Sequence, residues 1–204
     1  MAGAGLNGGA GVEREPALIG VLALQGDFAA HARVLSGLGA RVREVRTVAD
    51  LEGVHGLVIP GGESTTMMLG VEREGLAEPL RRLVSELEIP TLGSCAGLIM
   101  LDRDHLGLMD LSAQRNAFGR QVRSFESDLD VRGIEGGPVH AVFIRAPWIA
   151  EYGPQVEILA TVDGHPVAAR QGRMLAVAFH TELGEDTRLH ELFLDSVAAA
   201  ASPC

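Results

Sequence analysis

Around one cysteine the chain reads Ile89-Pro90-Thr91-Leu92-Gly93-Ser94-Cys95-Ala96-Gly97-Leu98-Ile99-Met100. An apolar run enters a Gly-x-Cys-x-Gly turn and a second apolar run leaves it, which predicts strand, sharp turn, helix. Small residues on both sides let the backbone turn tightly and leave the side chain at the tip, the cysteine form of a nucleophile elbow. There the sulfur sits at a helix N-terminus, where unpaired N–H groups and the helix dipole favour negative charge. The pattern predicts a covalent nucleophile, for which the rest of the chain must supply a base and an oxyanion hole. The plainer alternative is an inert buried cysteine, the common fate of a free thiol.

The segments before the elbow repeat the same alternation. Residues 18–24, Leu-Ile-Gly-Val-Leu-Ala-Leu, are an unbroken apolar run, as expected of a strand buried on both faces of a parallel sheet. Gln25-Gly26-Asp27 turns the chain into a predicted helix over 28–38, with Phe28, Ala32, Leu35 and Leu38 near helical spacing and Gly39 as its stop. Further strands are predicted over 42–45, 56–60 and 91–94, and helices over 64–74 and 76–87. Strands alternating with helices imply an α/β fold, three-layered, with a mainly parallel sheet and helices on both faces. Ligand sites in such sheets lie beyond the carboxyl ends of strands. Gln25-Gly26, Gly61-Gly62-Glu63 and Cys95 each follow a predicted strand there, so three distant loops are expected to share one crevice.

The second half changes character. Segments 139–145, 156–162, 166–170 and 174–179 read as strands with short turns such as Asp163-Gly164 and Gln171-Gly172. They predict antiparallel hairpins joined to the main sheet, closed by a helix over 186–200. Residues 1–16 are rich in Gly and Ala and read as a disordered tail, leaving one domain over 17–200. With 47% hydrophobic residues in 204 the core is sizeable, and with 4% aromatics it must be built from aliphatic side chains. The formal charge of −10 comes with no basic stripe, which argues against nucleic acid. No apolar stretch approaches membrane-spanning length. The two cysteines, Cys95 and Cys204, are read as free thiols in a reducing cytoplasm.

Among seven histidines, His180 stands apart. It follows the apolar run Leu175-Ala176-Val177-Ala178-Phe179, and Glu182 lies two residues on. In extended backbone, residues two apart point the same way. A carboxylate there can fix the tautomer of the imidazole and leave its other nitrogen basic. His31 is read as a surface residue of its helix. His55, His105, His165 and His190 are placed near turns or on exposed helix, and His140 opens a strand. Gly61-Gly62-Glu63-Ser64 is either a plain turn with Ser64 as a helix cap, or a loop whose glycines allow close backbone approach and an N–H aimed at an oxyanion. The loop lacks the Lys-Ser/Thr end of a Walker motif, and no cluster has zinc spacing. No metal and no cofactor are expected.

With these parts placed, the chain resembles the class I, triad-type glutamine amidotransferases of flavodoxin-like architecture. Within them it is similar to the glutaminase subunits of pyridoxal 5'-phosphate synthases. The resemblance runs from Ile19 to Phe193. It is carried by Gly20-Val21-Leu22-Ala23-Leu24-Gln25-Gly26, Pro60-Gly61-Gly62-Glu63-Ser64-Thr65-Thr66-Met67, Gly93-Ser94-Cys95-Ala96-Gly97, Arg115-Asn116-Ala117-Phe118-Gly119-Arg120-Gln121 and Phe143-Ile144-Arg145-Ala146-Pro147.

The resemblance implies a Cys95–His180–Glu182 triad that hydrolyses L-glutamine, with the backbone N–H groups of Gly62 and Ala96 as oxyanion hole. It implies glutamine contacts from Gly62, Glu63, Ser64, Arg115, Ile144 and Arg145. It also implies a partner, a (β/α)8-barrel synthase subunit that receives the ammonia, docked near Gln25, the following helix and the Gly-Gly loop. Two alternatives stay open: a docking subunit without turnover, and another elbow-cysteine hydrolase. Two departures from the family pattern bear on them. Thr181 stands where proline usually separates the histidine and glutamate, which predicts looser positioning. Residues 101–107 form a shortened segment behind the elbow helix, which either weakens the support of Cys95 or simply trims a surface loop.

Overall fold

The computed structural model describes residues 15–115 and 124–201. Most of the predicted tail (1–14), residues 116–121 of the Arg115 motif and Cys204 lie outside the described residues.

In the first half, β1 (Leu18–Leu22) is buried throughout and leads to α1 (Phe28–Gly37), whose N-cap is Asp27. Then come β2 (Arg41–Val45), β3 (Gly56–Ile59), α2 (Ser64–Arg73) and α3 (Ala77–Arg81). β4 (Thr91–Ser94) and α4 (Ala96–Leu101) flank the elbow. The single helix expected over 76–87 is instead α3 continued by a π-helical turn over 82–86.

The second half holds β5 (Leu111–Gln114), β6 (Ser124–Leu129), β7 (Val139–Ile144) and β8 (Trp148–Tyr152). β9 (Glu157–Val162), β10 (His165–Gln171), β11 (Met174–Val177) and α5 (Arg188–Ala200) complete it. The main sheet has the order β2-β1-β3-β4-β11-β10-β9. β2, β1, β3, β4 and β11 run parallel, while β10 and β9 close the far edge antiparallel. β5–β8 and β6–β7 are separate two-stranded ribbons. The expected mainly parallel sheet with antiparallel additions is therefore present. One correction concerns 139–145, which pairs with β6 in its own ribbon rather than joining the main sheet.

Two features position the elbow. β4 lies between β3 and β11, so Cys95 emerges at the centre of the sheet. Gly97 lets α4 pack directly on the strand beside it, because a Cβ there would collide with the carbonyl oxygen of Ile59. Every residue of α4 is buried. The few aromatics are concentrated where ribbon meets sheet. Phe143 stacks on Phe125 at 4.4 Å between centroids and packs on Phe179 at 5.4 Å. Burying rings such as Phe143 and Phe179 stabilises the fold by about 1.5–3 kcal/mol each.

The short segment behind α4 is firmly held, which favours a trimmed loop over disturbed support for Cys95. The buried Asp102 carboxylate accepts hydrogen bonds from the backbone N–H groups of Asp104, His105 and Ala113, and contacts His105 Nδ1 at 2.7 Å. Leu106, Leu108 and Met109 then return the chain to the core.

Candidate active site

Cys95 occupies the tip between β4 and α4 with φ 49° and ψ −102°. Positive φ is uncommon for a residue with a Cβ, and a strained nucleophile turn is one place where it recurs. The Cys95 N–H is held by the carbonyl of Val177 at 2.8 Å. Its Sγ lies 3.9 Å from the carbonyl oxygen of Ile144.

His180 follows β11 and is fixed from the other side, its N–H donating to the Val142 carbonyl at 2.9 Å. Its Nδ1 meets Glu182 Oε1 at 2.7 Å, as the two-residue spacing predicts. The ring shares the cavity wall with Cys95, whose sulfur raises its proton affinity. With threonine between them, the histidine and the glutamate meet at ordinary hydrogen-bond length. Thr181 is buried and its hydroxyl has no hydrogen-bond partner among the described residues.

The electrostatics follow from burial and pairing. Burial alone would lower the proton affinity of His180, but Cys95 and Glu182 outweigh that and push its pKa up to about 10. Burial would raise Glu182, but its hydrogen bond to His180 and the His31 ring 3.2 Å away hold its carboxyl well below the usual carboxylate range. The acid is therefore ionised and the base well supported as an imidazolium.

The three expected loops do converge. The Asp27 N–H donates to the Gly61 carbonyl at 3.2 Å, and the Glu63 N–H donates to Gln25 Oε1 at 2.6 Å. Gly61 lies so close to His180 and Cys95 that a Cβ there would stand 2.5 Å from His180 Cε1. The following loop differs from expectation in one respect. Glu63, not Ser64, caps α2, its carboxylate accepting from the N–H groups of Thr65 and Thr66. Those bonds, with that of the Thr66 hydroxyl, lower its pKa to about 2. Arg115, just beyond β5, reaches across to Glu63 Oε1 at 2.8 Å and to Thr65 Oγ1 at 3.1 Å.

One cavity of about 490 Å3 gathers these groups. Gly62, Glu63, Ser64, Cys95, Ala96, Arg115, Ile144, Arg145 and His180 all line it, together with Ile99 and Pro147. Every expected contact residue is therefore on its wall, and Glu182 sits behind His180. The Ser64 hydroxyl is buried without a hydrogen-bond partner among the described residues. The cavity offers a nucleophile, a base, backbone N–H groups and one separable pair of opposite charges.

Two histidines placed at the surface from sequence are in fact buried behind the triad. His31 and His190 are both fully inaccessible. His31 Nδ1 meets His190 Nε2 at 3.0 Å, and His31 Nε2 meets Ser94 Oγ at 3.0 Å. The signal for both was periodicity. His31 lies four residues before buried Leu35, and His190 three and seven before buried Phe193 and Val197, so each is on the apolar face of its helix.

An α/β sheet with a cysteine elbow at its centre and a His-x-Glu at the end of the neighbouring strand defines a glutamine amidotransferase. A solved glutamine amidotransferase superposes with a TM-score of 0.83 at 45% identity, over 88% of this chain and 98% of its own. A second solved glutamine amidotransferase, from Thermotoga maritima, shares the fold alone, at 15% identity and a TM-score of 0.59, over 91% of this chain and 85% of its own.

The model of the SNO glutamine amidotransferase family matches residues 21–199, and the chain belongs to that family. A Frankia alni protein named pyridoxal 5'-phosphate synthase subunit PdxT is 54% identical over 193 residues, covering 90% of this chain and 96% of its own length. A protein of the same name from Thermus thermophilus is 50% identical over 186 residues, covering 87% and 96%. Among the described residues no helix is long and apolar enough to cross a membrane.

Proposed function

We propose that this chain is the glutaminase subunit of a cytoplasmic pyridoxal 5'-phosphate synthase and hydrolyses L-glutamine through Cys95, His180 and Glu182. The observation that carries the reading is the shared cavity, with Cys95 and His180 in its wall beside the Glu63–Arg115 pair. An amino acid carries both charges of that pair. Arg115 suits its α-carboxylate through parallel N–H bonds, and Glu63 suits its α-ammonium. Ser64, Ile144 and Arg145 complete the wall around the side chain.

In the first step the Cys95 sulfur bonds to the side-chain amide carbon, and the carbonyl π electrons move to oxygen. The N–H groups of Gly62 and Ala96 stabilise that oxyanion. As the carbonyl reforms, the C–N bond breaks and the imidazolium of His180 gives its proton to the leaving nitrogen, releasing ammonia. Glu182 holds the ring through Nδ1 while its charge changes. Water, deprotonated by His180, then attacks the thioester, and glutamate leaves with the thiolate restored. The ammonia passes to a (β/α)8-barrel synthase subunit docked near Gln25, α1 and the Gly-Gly loop. The names and near-complete coverage of the relatives at about half identity support that partner.

The test is glutamate release from glutamine by the chain assembled with its synthase subunit, in parent and Cys95→Ala. Release in the parent and none in the variant supports the reading. Equal release from both removes Cys95 from the chemistry. Release of glutamate from neither, with assembly intact, favours a docking role without turnover.

A further inference from the structure

The triad leaves part of its own surroundings unused. Glu182 has two carboxylate oxygens. Oε1 is taken by His180 Nδ1 at 2.7 Å. Oε2 is buried and makes no hydrogen bond of full geometry among the described residues. The group at ion-pair distance from it is His31 Nε2, 3.2 Å away, and both side chains are fully inaccessible. A buried carboxylate oxygen without a positive or N–H neighbour is costly, so what faces Oε2 decides how well Glu182 stays ionised and aimed.

One proton can be assigned from its partners. A bare Nε2 lone pair would repel an ionised carboxylate at 3.2 Å, so Nε2 of His31 carries a proton, lying between Ser94 Oγ and Glu182 Oε2. Nδ1 meets His190 Nε2 at 3.0 Å. His190 Nδ1 has no hydrogen-bond partner among the described residues. Burial and the neighbouring His31 keep His190 neutral, with a pKa of about 3. Three elements besides that of Glu182 face this ring pair: α1 with His31, β4 with Ser94 and α5 with His190.

We propose that His31 is a positioning residue of the triad, holding the Oε2 edge of Glu182 from α1 so that Oε1 stays on His180. This rests on the triad reading given above. His31 touches neither substrate nor sulfur and acts only through Glu182. Losing it loosens the carboxylate, which weakens support for the His180 imidazolium in its proton donation to the leaving nitrogen. Substrate binding, made by Arg115 and Glu63 on the far side of the cavity, is left as it was.

The experiment compares His31→Gln and His31→Asn in the chain assembled with its synthase subunit, beside the parent and Cys95→Ala. The Gln amide N–H can reach the position of Nε2. The shorter Asn keeps a polar group toward His190 but falls short of Glu182. Glutamate release is followed against glutamine concentration and pH, and folding by a circular dichroism melt. Loss of the polar contact to a buried charged oxygen predicts a fall in kcat of about ten- to a hundredfold for His31→Asn. KM stays within about twofold, and the alkaline limb of the kcat/KM profile moves to lower pH because His180 gives up its proton more easily. His31→Gln keeps the parent's limb and most of its kcat.

Equal loss in both variants, or a limb that does not move in His31→Asn, overturns the proposal. If His31→Asn does not fold, His31→Gln decides alone: a parental limb supports the proposal and a displaced one overturns it. A Cys95→Ala protein as active as the parent would instead take down the triad reading itself, whereas an inactive one beside a parental His31→Asn defeats only the role of His31.

Discussion

Gly61→Ala tests the geometry of the site with a single methyl group. Gly61 has no positive φ, so alanine meets no backbone penalty there. Its Cβ would lie 2.5 Å from His180 Cε1, 2.9 Å from His180 Nδ1 and 3.3 Å from Cys95 Cβ. Ordinary contact begins at 3.4 Å, so the imidazole must retreat by about 0.9 Å. The bond from Nδ1 to Glu182 Oε1 is 2.7 Å in the native site, and a shift of that size along it would end it. Misplacing a reacting group by about 1 Å costs on the order of 100-fold in rate, close to 2.7 kcal/mol in the barrier. Gly61 does not line the cavity, so KM for glutamine should change by less than about threefold. The assay is glutamate release by the assembled enzyme with a parallel thermal melt. A folded Gly61→Ala protein whose kcat stays within about threefold of the parent would refute the claim that this contact fixes His180.

The buried histidine behind the triad makes stability depend on acid in a stated direction. Unfolded His190 takes up a proton near 6.5, while in the folded chain burial and His31 delay this to about 3. Its contribution is therefore complete above pH 6.5 and lost as pH falls toward 3, by up to ~1.4 kcal/mol per pH unit. In urea titrations at several pH values, His190→Asn should flatten that acid slope, and an unchanged slope would place the acid sensitivity elsewhere. Thr181→Val removes a buried hydroxyl that has no partner among the described residues, and should stabilise by about 1 kcal/mol, a rise in Tm of roughly 2–4 °C by calorimetry. A fall in Tm would mean that the hydroxyl is satisfied after all.

The parts of this fold that were legible in the sequence are those set by local pattern. The apolar run at 18–24 had to be a central strand, and Gly93 to Gly97 had to be a tight turn, because few other conformations suit them. His180 and Glu182 were legible because strand periodicity alone brings residues two apart to one side. β5, β6 and β8 were missed because ribbons carry weak signals. The Ser124–Leu129 strand is alternately exposed and half-buried with only Phe125 and Leu129 as apolar markers. Ser64 was read as the cap because hydroxyl caps are common, whereas the longer Glu63 side chain reaches both N–H groups. His31 and His190 look exposed by polarity, whereas helical phase puts each on the apolar face of its helix. No local pattern announces a polar cluster whose partners are 159 and 63 residues apart in the chain.

That cluster also explains why α1 matters to a site it does not line. The turn before α1 fixes the oxyanion loop, through Gln25 to the Glu63 N–H and Asp27 to the Gly61 carbonyl. About one helical turn later the same helix places His31 beside Glu182. The loop that would stabilise the oxyanion and the acid that orients the base are thus held by opposite ends of one short rigid segment. Arg115, proposed above to hold the α-carboxylate, sits just beyond β5 and meets the oxyanion loop through Glu63 and Thr65 rather than through His31. Changes at His31 should therefore alter kcat before KM, changes at Arg115 should do the reverse, and changes at Gln25, which holds Glu63, should move both; measuring both constants in the same assembled enzyme separates the two ends of the segment.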